Sequence, residues 1–230
     1  MKKASELDLT FSMPLLTVGL PVFNGEQYLE MAIDSLLSQS YSDFILLISD
    51  NSSTDRTNEI ASKYANQDSR IRLFRQTENI GAINNYRFLF QTAETPYFMF
   101  SAADDTWSSN WIETLLPVAK MNDCVAYGVN KVIDLYGEEI PNQSANRRHS
   151  FTGPRLVRRV QYFASPAALG KANPINGIFY KKLFSEDVWR EFSKFRNAPD
   201  VMALYEFVRN SKIRFVSDAY HNKRLLTKST

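Results

Sequence analysis

Short apolar runs of strand type alternate with amphipathic helical patterns through about the first 100 residues of the chain. Between the runs, apolar residues recur every three or four positions, as Leu29, Ile33 and Leu36 do within residues 25–39. This order predicts βαβ units, and therefore a single α/β domain with a mainly parallel central sheet flanked by helices. The predicted strands are Leu15–Phe23, Phe44–Ser49, Ile71–Arg75 and Tyr97–Phe100.

The fourth apolar run is followed by two adjacent carboxylates, Asp104 and Asp105. Carboxylates this close repel each other, and partial burial strengthens the repulsion. A divalent cation, Mg²⁺ or Mn²⁺, would relieve it, because these ions take oxygen ligands and often use one or two protein carboxylates with substrate phosphates. The carboxyl ends of strands are also where open α/β sheets bind ligands. The alternative interpretation is a solvated turn that caps the helix after Ser108.

Charge is divided unequally along the chain. Residues 1–146 carry 10 Lys and Arg against 19 Asp and Glu, whereas residues 147–230 carry 17 against 6. The basic part is expected to face phosphate groups, an anionic polysaccharide or the surface of an anionic membrane. No nucleic-acid recognition motif accompanies it, so nucleic acid is not an expected partner. The first arginines of the basic part are Arg147, Arg148, Arg155, Arg158 and Arg159.

The single cysteine, Cys124, rules out an intrachain disulfide and fits a reducing compartment. No apolar run approaches the roughly 20 residues of a membrane-spanning helix. The basic N-terminal residues are not followed by the apolar core of a signal peptide. We therefore expect a cytoplasmic protein, with peripheral contact at the inner membrane face as the one form of membrane association left open.

Two predicted strand ends carry acids that have no basic neighbour in the sequence, Asp50 and Asp104. Such carboxylates can accept hydrogen bonds from a base N–H or from ribose hydroxyls, and Phe23, at the end of the first run, could stack on a base. Neither the Gly-x-Gly-x-x-Gly nor the P-loop pattern occurs in the first half. The strand ends therefore predict a nucleotide site of another kind.

Four segments of the first part, taken together, form a recognisable set of motifs: Val18–Leu29, Ile48–Asp55, Glu78–Ala82 and Ala103–Trp107. In order and spacing they resemble the family 2 glycosyltransferases, which have the GT-A fold, and the resemblance covers about residues 15–120. It implies a nucleotide-sugar donor, preferably a UDP-sugar, a divalent cation, Mn²⁺ or Mg²⁺, and inversion at the anomeric carbon.

Carried over residue by residue, the resemblance assigns Pro21 and Phe23 to the surroundings of the base. It assigns Asp50 to the ring N–H of the base and Asp104 to the ribose. Asp105, together with Asp104, is assigned to the metal on the diphosphate. These assignments are expectations from the family and do not follow from the spacing itself.

The third motif places Gly81 in the predicted nucleotide site. Three positions depart from the usual pattern of the family. Phe23 stands where the family often has Tyr, and Asn51 stands where it often has a second Asp, which bears on the identity of the base. Ala103 stands where many relatives have a polar residue, which bears on the contacts with the sugar.

The resemblance also implies which part of the domain binds each substrate: residues 1–120 are expected to bind the nucleotide-sugar and the metal, and residues 121–230 the acceptor. An inverting transfer needs a base that takes the proton of the acceptor hydroxyl. The family places this base as an Asp at the start of a helix, and Asp200 stands there, directly after Pro199. The alternative is an acid that only stabilises the first helical turn through the helix dipole.

His221 and Arg224 follow a predicted strand near Phe215. Both side chains are candidates for contact with the diphosphate or the metal. A lone His is more often a surface or structural residue, so the predicted site does not include them.

The sequence therefore predicts an inverting glycosyltransferase that acts on a hydroxyl of a glycan or a lipid-linked glycan in cell-surface polysaccharide synthesis. Two other classes stay open. A sugar-nucleotide nucleotidyltransferase would normally carry a Gly-rich loop with Lys or Arg after the first strand, whereas residues 23–27 contain no basic residue. A non-catalytic nucleotide- or carbohydrate-binding module would keep the pocket without needing a base.

Overall fold

The computed structural model describes residues 13–186, 188–190 and 199–226. The strands are β1 (Leu16–Val22), β2 (Phe44–Asp50), β3 (Ile71–Arg75), β4 (Tyr97–Phe100), β5 (Thr106–Trp107), β6 (Cys124–Ile133), β7 (Ile178–Tyr180) and β8 (Lys212–Arg224). The α-helices include α1 (Leu29–Leu37), α2 (Thr57–Gln67), α3 (Ala82–Thr92), α4 (Trp111–Asn122), α5 (Arg155–Ala164) and α6 (Pro199–Asn210).

The strands form one eight-stranded sheet in the order β3-β2-β1-β4-β7-β6-β8-β5. β1, β2, β3 and β4 pair in parallel, as the alternation of strands and helices predicts. Beyond β4 the sheet is mixed, because β7 runs antiparallel to both β4 and β6, and β5 runs antiparallel to β8. The carboxyl ends of β1, β2 and β4 therefore lie together at one edge.

Helices cover both faces of the sheet, because its strands are apolar on both sides. β2 is buried at every position, and its alternate residues belong to two separate core clusters. Ile33 of α1 and Leu115 of α4 belong to the first cluster. Leu89 of α3, Tyr162 of α5 and Phe207 of α6 belong to the second. No helix within the described ranges combines the length and the apolarity needed to cross a membrane.

β8 extends further than the sequence pattern predicts. The sequence places the strand near Phe215 and His221 and Arg224 after it, whereas β8 extends to Arg224, with a shift in its register against β6 between Phe215 and Tyr220. Both of these side chains are buried. Because buried polar residues interrupt the apolar alternation, the local pattern could not reveal the second half of the strand.

α5 turns one of its arginines towards the protein interior. Arg158 is buried, and its Nε donates to the carbonyl of Val208 at 3.0 Å while its Nη1 donates to the carbonyl of Gly153 at 2.8 Å. Arg158 is therefore not accessible to the anionic partner that the basic part of the chain is expected to face. Arg155, at the start of the same helix, is exposed as expected.

Candidate active site

A cavity of about 430 Å³ lies where β1, β2 and β4 end. Its walls come from the loops that follow these strands and from the start of α3. This is the position at which open α/β sheets bind ligands. The residues lining it include Pro21, Phe23, Asn51, Asn79, Tyr86 and Asp104.

Pro21, near the end of β1, and Phe23, just after this strand, supply an apolar wall of the cavity. Phe23 is 47% exposed. The loop behind it is fixed by hydrogen bonds to the loop after β2: the Asn24 N–H donates to Ser53 Oγ at 2.9 Å, and Asn24 Oδ1 accepts from the Thr54 N–H at 2.9 Å. An exposed aromatic ring on a fixed loop is suited to stacking against a planar ligand.

Asp50, the last residue of β2, is fully buried, whereas the next residue, Asn51, lines the cavity. Asp50 Oδ1 accepts from the Ser53 N–H at 3.0 Å. No described residue donates a hydrogen bond to Asp50 Oδ2, although Arg75 Nε lies 3.6 Å from it. One oxygen thus caps the loop, and the other keeps its acceptor capacity. The contact of Asp50 with a base N–H stays a prediction.

Asn51 shows why an amide can replace the acid that this position often has in the family. Its Nδ2 donates to Asn79 Oδ1 at 2.9 Å, and its Oδ1 accepts from the Ile80 N–H at 3.0 Å. A carboxylate could not supply the first of these bonds. The Gly81 N–H also donates to Asn79 Oδ1, at 2.9 Å, and Gly81 has a φ of +84°, which favours glycine. Gly81 therefore shapes the turn before α3, while the following residue, Ala82, lines the cavity.

The two adjacent acids occupy different environments. Asp104 lines the cavity, whereas Asp105 is buried. Asp105 Oδ2 lies 2.9 Å from His221 Nε2, and Asp105 Oδ1 accepts from the Arg224 N–H at 2.8 Å. Burial raises the pKa of Asp104, and the neighbouring Asp105 raises it further. The repulsion expected from the sequence is thus present at the acid that faces the cavity.

His221 and Arg224 support this pair of acids from β8. His221 is fully buried, and its ring stacks on Trp107 with 5.1 Å between centroids. Arg224 Nε donates to the carbonyl of Asp104 at 3.0 Å, and Arg224 Nη1 donates to the carbonyl of Asp134 at 2.7 Å. The sequence named both residues but gave no sign of this contact, because 116 positions separate His221 from Asp105. Contact of either side chain with a diphosphate stays a prediction.

Asp104 and Asp105 are the residues that could hold a divalent cation. Among the residues that the structure describes, no cluster of three or more His, Cys, Asp or Glu side chains is arranged for a metal ion. Two carboxylates nevertheless fit Mg²⁺ or Mn²⁺ when substrate phosphates and water supply the other oxygens. A carboxylate has about four acceptor positions, so the two hydrogen bonds of Asp105 leave it able to act as a ligand. The donor set fits a cation that binds together with a diphosphate.

Asp200 lines a second cavity of about 270 Å³. It lies in the first turn of α6, and its Oδ1 accepts from the Val201 N–H at 3.0 Å. The other residues that line this second cavity include Ile83 and Asn176. The structure therefore places Asp200 in the position of a helix-terminal acid and also at the surface of a cavity, so its use as a base stays a prediction.

Tyr86 and Ala82 line both cavities and so mark the boundary between them. The ring of Tyr86 packs edge-on against Phe100, with 5.6 Å between centroids. Its hydroxyl lies 3.4 Å from the carbonyl of Ser101, a long hydrogen bond. Burial raises the pKa of Tyr86, with Asp105 as a further cause, so its phenol stays neutral and able to donate. Sequence reasoning missed Tyr86, because an aromatic residue in a helical pattern usually indicates core packing.

Comparisons with known proteins agree on the family. A sequence model of the family described as "Glycosyl transferase family 2" matches residues 17–179. An uncharacterized glycosyltransferase of Haemophilus influenzae is 32% identical over 130 residues, covering 56% of this chain and 52% of the relative. The putative teichuronic acid biosynthesis glycosyltransferase TuaG of Bacillus subtilis is 32% identical over 111 residues, covering 48% and 44%. The chain spans about half the length of these curated relatives.

Solved structures of S. aureus TarS resemble the fold. TarS 1–349 in complex with UDP has a TM-score of 0.66 at 20% identity, covering 91% of this chain and 60% of TarS 1–349. The same protein in complex with UDP-GlcNAc has a TM-score of 0.62 at 21% identity, covering 92% and 59%. This likeness confirms the predicted GT-A-like α/β domain.

Proposed function

Because the chain belongs to glycosyl transferase family 2, we propose that it transfers a sugar from a nucleoside-diphosphate sugar to a hydroxyl of a glycan or a lipid-linked glycan. The observation that carries the proposal is the pair of adjoining cavities: one is lined by Asp104, the other by Asp200, and Tyr86 lines both. A donor in the first cavity and an acceptor in the second would meet beside Tyr86.

The donor of this proposal is a UDP-sugar bound in the larger cavity. UDP and UDP-GlcNAc complexes of TarS, which has the same fold, support this choice. Pro21 and Phe23 would pack against the base, Asp50 would accept from its ring N–H, and Asp104 would contact the ribose. The open acceptor capacity of Asp50 Oδ2 fits this role.

Asp104 and Asp105 would hold Mg²⁺ or Mn²⁺ beside the diphosphate. The bound cation would supply neutralisation of the charge that develops on the leaving diphosphate. The contribution of the chain is to hold the acids in place: His221 Nε2 and the Arg224 N–H fix the carboxylate of Asp105. Because β8 supplies both groups, that strand determines the geometry of the acid pair.

Asp200 would act as the general base. Its carboxylate takes the proton of the acceptor hydroxyl while the hydroxyl oxygen forms a bond to the anomeric carbon. The bond from that carbon to the diphosphate oxygen breaks on the opposite face, so the configuration inverts and the nucleoside diphosphate leaves with the bonding electrons. Tyr86, with a neutral hydroxyl at the boundary, lies close to where these bonds would exchange.

We assign the reaction to cell-surface polysaccharide synthesis at the cytoplasmic side. The name of TuaG, a relative, refers to teichuronic acid biosynthesis, which supports an acceptor of this class. A chain with one cysteine, which is buried, also fits a reducing compartment.

Thermal unfolding with UDP, GDP, CDP and ADP, each with Mn²⁺ or with a chelator, tests the proposal. A ligand that binds only the native state raises Tm by mass action. UDP with Mn²⁺ should raise Tm in the wild type but not in Asp104→Asn. The matched control is Glu94→Gln, an exposed acid before β4, at the opposite end of the strand. The absence of any nucleotide-dependent shift in the wild type would contradict the proposal.

A further inference from the structure

The outward face of α5 is apolar. Leu156 is 70% exposed, Val160 is 60% exposed and Phe163 is 64% exposed. Their spacing of four and then three residues places them on one stripe of the helix. Exposed single apolar residues are ordinary, but a row of three on a ten-residue helix is a continuous apolar surface.

This orientation of α5 is fixed by polar groups on its inward face. Arg158 donates to the carbonyls of Val208 and Gly153. The hydroxyl of Tyr162 donates to the carbonyl of Val201 in α6. Rotating the stripe into the core would break these bonds and leave a buried guanidinium unpaired, which is costly. The apolar stripe is therefore the stable outer surface of the helix.

The stretch of sequence that contains α5 is basic. Residues 140–185 contain no Asp or Glu and eight Lys or Arg, of which Arg158 and Lys171 are buried. Arg155 and Arg159 lie on α5 itself, and Arg159 Nε donates to the Tyr205 hydroxyl at 3.0 Å, next to Phe163, whose ring is 4.8 Å from that of Tyr205. A partner that binds this surface must have an apolar interior and an anionic outer layer. A second copy of the same face would bring like charges together, which disfavours self-association.

We infer that α5 lies in the interface of an anionic lipid bilayer, with Leu156, Val160 and Phe163 inserted among the acyl chains and the surrounding basic residues at the headgroups. A helix with an apolar face and basic flanks binds a membrane surface in this way without spanning it. Both contributions are needed, because a few basic residues alone give only reversible surface attraction.

The position of α5 connects this inference to the candidate site. Tyr162 of α5 bonds to Val201, the residue after Asp200. The inserted helix would therefore hold the Asp200 cavity close to the lipid surface, where a lipid-linked acceptor would present its hydroxyl. This link to the acceptor rests on the proposed function, whereas the membrane contact itself does not.

Vesicle sedimentation of the full chain tests the inference. The wild type should sediment with phosphatidylcholine vesicles that contain phosphatidylglycerol, and only weakly with phosphatidylcholine alone. The triple variant Leu156→Ser, Val160→Ser, Phe163→Ser should lose about tenfold or more of this binding. The matched control is Met121→Ser with Tyr136→Ser, two residues exposed by 79% and 89% outside α5, which should bind like the wild type.

A second variant reports insertion directly. Phe163→Trp should show a blue-shifted emission on addition of the anionic vesicles, against a constant background from Trp107, Trp111 and Trp189, the three native tryptophans. An unshifted emission would overturn the inference, as would equal binding of the triple variant and the wild type. A wild-type dimer in light scattering that the triple variant converts to a monomer, without vesicle binding, would instead assign the stripe to a second copy.

The UDP-dependent rise in Tm, measured on the same triple variant, separates the two proposals. We expect this rise to be unchanged, because the stripe lies outside the nucleotide cavity. If the triple variant loses vesicle binding while all variants keep the UDP-dependent rise in Tm, the result supports the membrane contact of α5 independently of the nucleotide site. A wild type that binds vesicles but shows no nucleotide effect would contradict the proposed function and leave the membrane contact standing.

Discussion

Replacing Asp50 by Asn changes one buried atom at the nucleotide end of the candidate site. Asp50 is fully buried, and its Oδ1 already accepts from the Ser53 N–H. The amide oxygen of Asn can keep this bond, while its NH₂ replaces the oxygen that receives no hydrogen bond from the described residues. The nearby positive charge is that of Arg75, whose Nε lies 3.6 Å from Asp50 Oδ2 and compensates the buried carboxylate only weakly. The substitution therefore exchanges a weakly compensated buried charge for a neutral group. The free energy of unfolding should therefore change little.

The effect on binding should be much larger. A hydrogen bond to a buried carboxylate contributes about 2 kcal/mol, so its loss should weaken UDP binding by about thirtyfold. The NH₂ of Asn would also face the N3–H of uracil, with both groups donating. Cytosine presents an acceptor at N3, so Asp50→Asn should bind CDP more tightly than the wild type does.

Calorimetric titration with UDP and with CDP, each with Mn²⁺, measures both changes. Asp43→Asn is the matched control, because Asp43 is exposed just before β2, at the other end of the same strand. Its affinity for UDP should equal that of the wild type. If Asp50→Asn binds UDP within about twofold of the wild type, Asp50 only caps the loop and the assignment to the base is wrong.

Three further substitutions test the other groups. Asp200→Asn should bind UDP and Mn²⁺ normally and lower the transfer rate by about 10²-fold or more, the range for a lost acid–base group; a rate near that of the wild type would leave Asp200 as a helix-terminal acid. Asp105→Ala should remove the effect of Mn²⁺ on UDP titrations, and a wild type that binds UDP equally with metal and with chelator would refute this. Asp104→Asn should raise the Tm of the ligand-free protein at pH 7, because burial and Asp105 raise the pKa of Asp104 and so disfavour its ionised form in the native state. This advantage should shrink as the pH falls through the native-state pKa, since the wild type then also carries a neutral carboxyl, and an advantage that does not change with pH in scanning calorimetry would contradict it.

The N-terminal half of the fold could be predicted because its signals are local. The apolar run at Phe44–Ser49 corresponds to β2, and the helical pattern within residues 25–39 corresponds to α1. Each of these elements is specified by residues within a few positions of one another. The parallel pairing of β1 to β4 then follows from the alternation of strands and helices.

The later part of the fold depends on contacts between distant residues. β8 contains His221 and Arg224, whose burial is stabilised by Asp105 and by carbonyl groups from other loops. No local pattern encodes those partners. Likewise, Arg158 is basic and lies in a basic helix, yet its hydrogen bonds to the carbonyls of Gly153 and of the distant Val208 hold it inside. The order of the strands beyond β4 is another result of long-range pairing.

The sequence located the candidate site but could not show which side chains face the cavity. Pro21, Phe23 and Asp104 line it. Asp50 and Asp105 end up buried around it, because a strand end brings several residues to one edge and packing decides which of them stay accessible. The boundary position of Tyr86 also emerges only when α3 is packed against β4.

Whether the chain is a glycosyltransferase can be measured as the release of nucleoside diphosphate from nucleotide sugars. The purified chain is incubated with a panel of UDP-, GDP- and CDP-sugars in the presence of Mn²⁺. The release of UDP, GDP or CDP is followed over time with water as the acceptor. We expect slow consumption of at least one nucleotide sugar, preferably a UDP-sugar, and loss of this activity in Asp105→Asn. Consumption of none of them, or equal rates for the wild type and Asp105→Asn, would contradict it.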